Sequence, residues 1–164
     1  MPEAEVAHDM VGLGAPARRD YDLRGKLIPA HRLHVTLHHF GDHADPPEDI
    51  IARVKEAAAT AVCIDRFEIS FDFMEMWFDS LVLRGNGMTA LSELHQKLGN
   101  ALTKVGLGER VKSSFTPHVT LMRGGGYVET QMVKAFRWTV REFVPINSLV
   151  GQGTYVPLAT WQLR

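Results

Sequence analysis

Apolar residues along this chain follow a period near 3.6 in some stretches and near two in others, and the changeovers outline its elements. Val6, Met10 and Leu13 recur at helical spacing after Pro2, and Gly12 and Gly14 are expected to end that helix. Residues 15–30 are polar and irregular, closing on Pro29, the pattern of a loop. Leu33 to Phe40 reads as a strand. Asp45-Pro46-Pro47-Glu48 opens a second helix with Ile50, Ile51, Val54 and Ala57/Ala58 as its buried stripe, ending near Ala61. Phe67, Ile69, Phe71 and Phe73 alternate with polar residues as a half-buried strand that ends in Trp77 and Phe78, with Ser80 to Leu83 as its hairpin partner. Trp77 could line a cleft, but an aromatic at a strand end is more often core.

A third helix is predicted from Thr89 to Val105, turning Leu91, Leu94, Leu98 and Leu102 inward, with His95 at the edge of that stripe in a packing role. Gly106 and Gly108 stop it. Phe115-Thr116-Pro117 leads into a strand that Gly124-Gly125-Gly126 breaks. The last strands are expected over 136–144 and 154–163, around a link at Pro145 to Gly153. This order of elements suggests a duplicated α+β lobe.

One tetrapeptide occurs twice, as His34-Val35-Thr36-Leu37 and as His118-Val119-Thr120-Leu121. In an extended strand His and Thr share one face while Val and Leu share the other. Two such strands offer two imidazoles and two hydroxyls to one small group. Histidine exchanges a proton near neutrality, so two of them beside a phosphate can divide the work of acid and base. Threonine donates a hydrogen bond to a phosphate oxygen without adding charge. The same parity puts His38 and Phe40 on the face of His34, where Phe40 could stack on a base or ribose. Arg123 falls by parity on the face opposite His118 and reaches a phosphate only if the strand twists or ends at Met122.

The repeated motif and its surroundings resemble the two-histidine phosphoesterase superfamily. Within it the chain is most similar to bacterial and archaeal RNA 2′,3′-cyclic phosphodiesterases of the 2′-5′ RNA ligase type. The likeness rests on Leu27 to Leu37 with Gly41, on Phe115 to Arg123, and on the run from Phe143 through Ser148, Gly153, Tyr155 and Leu158 to Trp161. It covers about residues 24–164. The resemblance implies a single two-lobed domain over 1–164, with two antiparallel sheets flanking a central cleft, helices outside, and one motif strand per lobe. It implies hydrolysis of a 2′,3′-cyclic phosphate at an RNA or nucleotide end to a 2′-phosphate. In that scheme His118 is the base, His34 the acid, and Thr36, Thr120 and Arg123 hold the phosphate. Two departures stand out. The family's opening strand has no counterpart before the first helix, and His39-Phe40-Gly41 displaces by one position an aromatic that the family more often carries in Phe-Leu-Gly. The alternatives are 2′-5′ ligation by the same residues, or a module that binds phosphorylated nucleotides or RNA without turnover.

Composition narrows the choice. Net charge is −1, which argues against holding long nucleic acid by phosphate neutralisation alone. Arg18, Arg19, Arg24, Lys26 and Arg32 nevertheless form a local basic run leading into the first motif. The single cysteine, Cys63, excludes an internal disulfide framework and is expected to be an inert buried thiol. His31, His34, His38, His39 and His43 crowd together, but no carboxylate or cysteine stands at a recognised ligand spacing, and Asp42 and Asp45 suit a helix cap instead. No metal and no cofactor are expected, since imidazoles supply the acid and the base. An acidic N-terminus and the lack of a long apolar run point to a cytoplasmic protein without membrane contact, expected to act as a monomer.

Overall fold

The computed structural model describes residues 1–41, 46–61, 64–149 and 152–164, so the expectations for Asp42, His43, Asp45 and Cys63 lie outside the described residues. The chain divides into two compact units, one of Met1–Thr36, Glu68–Met88 and Thr116–Thr139, the other of Leu37–Phe67, Thr89–Phe115 and Val140–Arg164. Helices and antiparallel strands mix in the α+β manner expected. Among the described residues, no helix is long and apolar enough to cross a membrane.

Unit 1 is built on an antiparallel sheet in the order β1-β4-β3-β2-β5. The strands are β1 (Lys26–Leu27), β2 (Phe67–Trp77), β3 (Ser80–Arg84), β4 (His118–Arg123) and β5 (Gln131–Val140). Helix α1 (Ala4–Asp20) packs on β4 and β1. It runs past the predicted stop, through Gly12, Gly14 and Pro16, so much of the expected loop over 15–30 is helical. Gly14 is buried, and a Cβ there would come within 3.1 Å of Leu27 Cδ2. That glycine brings helix and sheet together and does not end the helix. The sheet's other contribution to the core is Leu81, Leu83, Val119, Leu121 and Met122, all almost fully buried.

The predicted hairpin forms, and its tip places Phe78 at φ +51°. For a residue with a Cβ, that left-handed conformation costs on the order of 1–2 kcal/mol. The predicted strand from Leu33 to Phe40 does not form. It reduces to one antiparallel bridge, Val35 to Val119, and the boundary between the units follows Thr36. Both copies of the motif's His-x-Thr therefore belong to unit 1, rather than one to each lobe.

Unit 2 packs α2 (Glu48–Ala61) against α3 (Thr89–Lys104), close to the predicted spans. Its core joins Ala57, Leu94, Leu98 and Leu102 to Phe143 and Leu163. The end of the chain is tied back to this unit, with Arg66 N–H donating to the Arg164 carbonyl and Arg164 N–H to that of Ile64. The expected strands over 136–144 and 154–163 are more broken than their composition suggested. They resolve into the end of β5, then β6 (Glu142–Phe143) paired with β9 (Trp161–Gln162), and β7 (Ile146–Leu149) paired with β8 (Thr154–Pro157). Part of the predicted link at 145–153 is thus strand.

Candidate active site

Strand register decides which side chains share a face, because directly paired residues project the same way. Arg84 pairs with His118, Val82 with Thr120 and Ser80 with Arg123. Ser80, Val82 and Arg84 lie on one face of β3 by the two-residue period. His118, Thr120 and Arg123 therefore lie on one face as well, although simple counting along β4 puts Arg123 on the other. A bulge accounts for the difference. Leu121 is the extra residue between the pairs Val82–Thr120 and Leu81–Met122, so Leu121 and Met122 both turn into the core and Arg123 returns to the histidine face.

The bridge between Val35 and Val119 puts His34 and Thr36 on that same face. Its antiparallel sense sets His34 across from Thr120 and Thr36 across from His118. Each imidazole thus neighbours the other motif's hydroxyl. The two histidines also share a local device. His34 donates from Nδ1 to the carbonyl of Arg32 at 2.7 Å, and His118 donates from Nδ1 to the carbonyl of Thr116 at 2.9 Å. Each bond fixes the tautomer, so that the basic nitrogen of the neutral ring is Nε2. Burial pushes His34 below the ordinary histidine value, against its carbonyl bond. The charges of the N-terminus, Arg32 and His118 push it the same way as burial.

Sequence reasoning missed the wall of this site. Phe73, Glu75 and Trp77 pair with Arg84, Val82 and Ser80 and so share the histidine face. Trp77, for which the core is the favoured reading of the sequence and the cleft the alternative, packs its indole against the His118 imidazole, with ring centroids 4.8 Å apart. Glu75 holds the wall together. Its carboxylate accepts from Trp77 Nε1 at 2.6 Å, from Arg84 Nε at 2.8 Å and from Thr130 Oγ1 at 2.9 Å. Burial alone would raise the Glu75 carboxyl, but those three bonds together outweigh it and hold it below the usual carboxylate range. The Arg84 guanidinium also lies over the Phe73 ring, 5.0 Å from its centroid. Odd numbering from 73 to 77 was the signal available for this wall, and the strong pattern of core phenylalanines just before it masked that signal.

With no strand to carry the parity forward, Phe40 falls in unit 2, half-buried against that unit's apolar core, and its carbonyl accepts from Arg110. His38 likewise belongs to unit 2, where its ring stacks on His95. Among the described residues, no group of three or more His, Cys, Asp or Glu side chains is arranged to hold a metal ion.

The fold is shared with solved structures. A crystal structure described as a phosphoesterase matches with a TM-score of 0.79 at 23% identity, over 99% of this chain and 94% of that one. The protein TT0787 of Thermus thermophilus matches with a TM-score of 0.79 at 21% identity, over 99% and 93%. LigT of E. coli, crystallised with 3′-AMP, matches with a TM-score of 0.77 at 22% identity, over 99% and 94%. No curated protein matches significantly by sequence. The architecture is therefore the LigT-like fold. The 2′-5′ RNA ligase superfamily profile matches residues 11–150, and the chain belongs to that superfamily. Membership makes it a phosphoesterase- or RNA ligase-like enzyme, in line with the resemblance carried by the two motifs.

Proposed function

We propose that this protein hydrolyses 2′,3′-cyclic phosphates at the ends of RNA or nucleotides, leaving a 2′-phosphate. The observation that carries the proposal is the crosswise pairing of two His-x-Thr segments on one sheet face, each with its imidazole Nδ1 bound to the carbonyl two residues back. That arrangement presents two Nε2 positions and two hydroxyls to one phosphate. Family membership supports the reaction class. LigT of E. coli has been crystallised with 3′-AMP, ATP and NADP+, which supports a nucleotide as the ligand.

In the proposed mechanism His118 Nε2 takes a proton from water as the water oxygen bonds to phosphorus. The bond from phosphorus to O3′ breaks, and His34 Nε2–H delivers its proton to that oxygen. The products are a 2′-phosphate and a 3′-hydroxyl, and the two imidazoles have exchanged protonation states until solvent resets them. Thr36 and Thr120 donate to non-bridging oxygens, and Arg123 stabilises the charge that builds up in the pentacoordinate state. Because burial lowers the pKa of His34, its acid role depends on the anionic phosphate raising that pKa on binding. Ligation to a 2′-5′ bond is the reverse chemistry and would use the same groups. The acid and base are side chains of the protein, so turnover is expected to need no metal or cofactor.

The deciding experiment presents a panel of 2′,3′-cyclic mononucleotides and cyclic-ended oligonucleotides and separates the products by regiochemistry. Formation of 2′-phosphates is expected. Exclusive 3′-phosphates, or tight binding without turnover, would overturn the proposal, the latter in favour of a binding module.

A further inference from the structure

The end of the sheet away from His118 carries features that hydrolysis of a mononucleotide does not use. Phe78, at the tip of the β2–β3 hairpin, is fully exposed, at 103% of its reference area, and its backbone holds the left-handed φ of +51°. A two-residue hairpin turn itself calls for a positive φ, but glycine or asparagine would hold it with less strain, so the exposed ring is the part that the fold does not explain. The tip is also firmly placed. Gly124 N–H donates to the Asp79 carbonyl at 2.7 Å, and Arg24 N–H donates to the Gly125 carbonyl at 3.3 Å. Gly124 has φ +131°, and a Cβ there would fall 2.5 Å from Gly25 Cα, so the 24–25 segment sits directly against the end of β4. The hairpin tip and the 24–25 segment thus both converge on the loop after Arg123, and that loop adds a second exposed aromatic, Tyr127, at 77%.

Charge at this corner is positive. Lys26 pairs across β1 and β4 with Arg123, and Arg24 lies just before it. Arg24, Lys26 and Arg123 are exposed and make no ion pair with a described residue, whereas Arg19 is engaged by Asp20 at 2.9 Å. Asp22, exposed two residues before Arg24, and Asp79, which accepts a bond from Ser80 Oγ, are partial counterweights. Exposed aromatics among cations on a molecule of net charge −1 match the chemistry of single-stranded nucleic acid, where bases stack and phosphates pair.

We infer that the corner formed by Phe78, Arg24 and Lys26 binds the single-stranded RNA that precedes the reacting 3′ end, with Phe78 as a stacking platform for an upstream base. The inference rests on the proposed reaction and adds a preference for oligonucleotides over mononucleotides. Phe78→Gly tests it without a folding penalty, because glycine removes the ring and relaxes the backbone, so Tm should not fall. The variant should lose about tenfold in kcat/KM on a cyclic-ended oligonucleotide of several residues, and be unchanged on a 2′,3′-cyclic mononucleotide. Arg24→Gln and Lys26→Gln should each flatten the salt dependence of oligonucleotide KM, by about 0.7 in logarithmic slope. Equal effects on both substrates, or none on the oligonucleotide, would overturn the inference. Fluorescence anisotropy with a labelled single-stranded RNA lacking a cyclic end separates the two claims. If the wild type turns over neither substrate, the proposed reaction fails, and the inference then survives only if Phe78→Gly weakens that binding. Unaltered binding would sink it, leaving the corner to a protein partner.

Discussion

Unit 1 and unit 2 each contain a pair of histidines, and the two pairs are put to opposite uses. In unit 1, His34 and His118 each commit Nδ1 to a backbone carbonyl two residues back, on a sheet face that also carries hydroxyls and an arginine. In unit 2, His38 donates from Nε2 to the carbonyl of His95 at 3.0 Å, and its ring stacks on the His95 imidazole. His95 is sandwiched again on Phe115, with centroids 4.2 Å apart and planes nearly parallel. Burial, then the charge of His38, pushes His95 down to about 4. What separates the pairs is which nitrogen is occupied and whether the ring is stacked on a second imidazole. A histidine that keeps Nε2 on a polar face can move protons near neutrality, while one stacked in a core serves as a flat aromatic.

The sharpest break in that contrast comes from alanine replacements. His34→Ala and His118→Ala should each lower kcat by at least ~10²–10⁴, the usual worth of one acid or base. His38→Ala should leave kcat nearly unaltered if the protein stays folded. Steady-state rates on a 2′,3′-cyclic nucleotide measure both. A His118→Ala enzyme with near wild-type turnover would end the two-histidine mechanism.

The core pair should show itself in stability instead. The unfolded chain protonates His95 near its ordinary 6.5, while the folded chain resists until about 4. Its neutral ring therefore costs the fold nothing above about pH 6.5, and stability is lost as pH falls from there toward 4. The loss amounts to about 3 kcal/mol at most. Urea unfolding at pH 7 and pH 4.5 should show that slope in the wild type and much less of it in His95→Phe. Parallel slopes would mean that the ring is not held neutral by the fold.

Much of this contrast was legible in the sequence, and the gaps have physical causes. The repeated His-Val-Thr-Leu singled out the two histidines that the structure brings onto one sheet face, and its alternation gave that shared face for His34, Thr36, His118 and Thr120. Counting by twos failed where the strand itself is irregular. The bulge at Leu121 returns Arg123 to the site, and the loss of strand after Thr36 sends His38 and Phe40 into unit 2. No local pattern reports a bulge, because its cause is the partner strand. Gly14 misled in a related way. Glycine in a helical pattern more often marks an end, and only the neighbouring Leu27 explains why this one lies inside α1.

Trp77 offers a subtler test, because it makes one histidine of the site resemble the stacked core pair. An aromatic contact of this kind is worth roughly 0.5–1.5 kcal/mol, so Trp77→Ala should lower kcat up to about tenfold by loosening His118. Trp77→Phe should keep most of the rate. Glu75→Gln removes the charge that anchors both Trp77 and Arg84, and its effect should be smaller than that of Trp77→Ala and absent in the Trp77→Ala background. Additive losses would show that Glu75 acts independently of the indole.

The smallest expected effect identifies which histidine is the acid. The Arg32 charge lowers the pKa of His34, while the carbonyl that binds His34 Nδ1 is backbone and survives substitution. Arg32→Met should therefore raise the His34 pKa and leave its tautomer alone. The pH profile of kcat/KM reports the free enzyme, which needs one imidazole protonated and the other neutral, so it should be bell-shaped. Where its depressed pKa is the lower of the pair, His34 sets the acidic limb in either role, so Arg32→Met moves that limb to higher pH. If His34 is the acid, the raised pKa also enlarges the correctly protonated fraction, and the maximum of kcat/KM rises. If His34 is the base, the maximum does not rise. The fitted values belong to the coupled pair, so the height of the profile and not the limb alone assigns the role. A profile in which neither limb moves, with the rest of the curve intact, would remove His34 from the proton transfers.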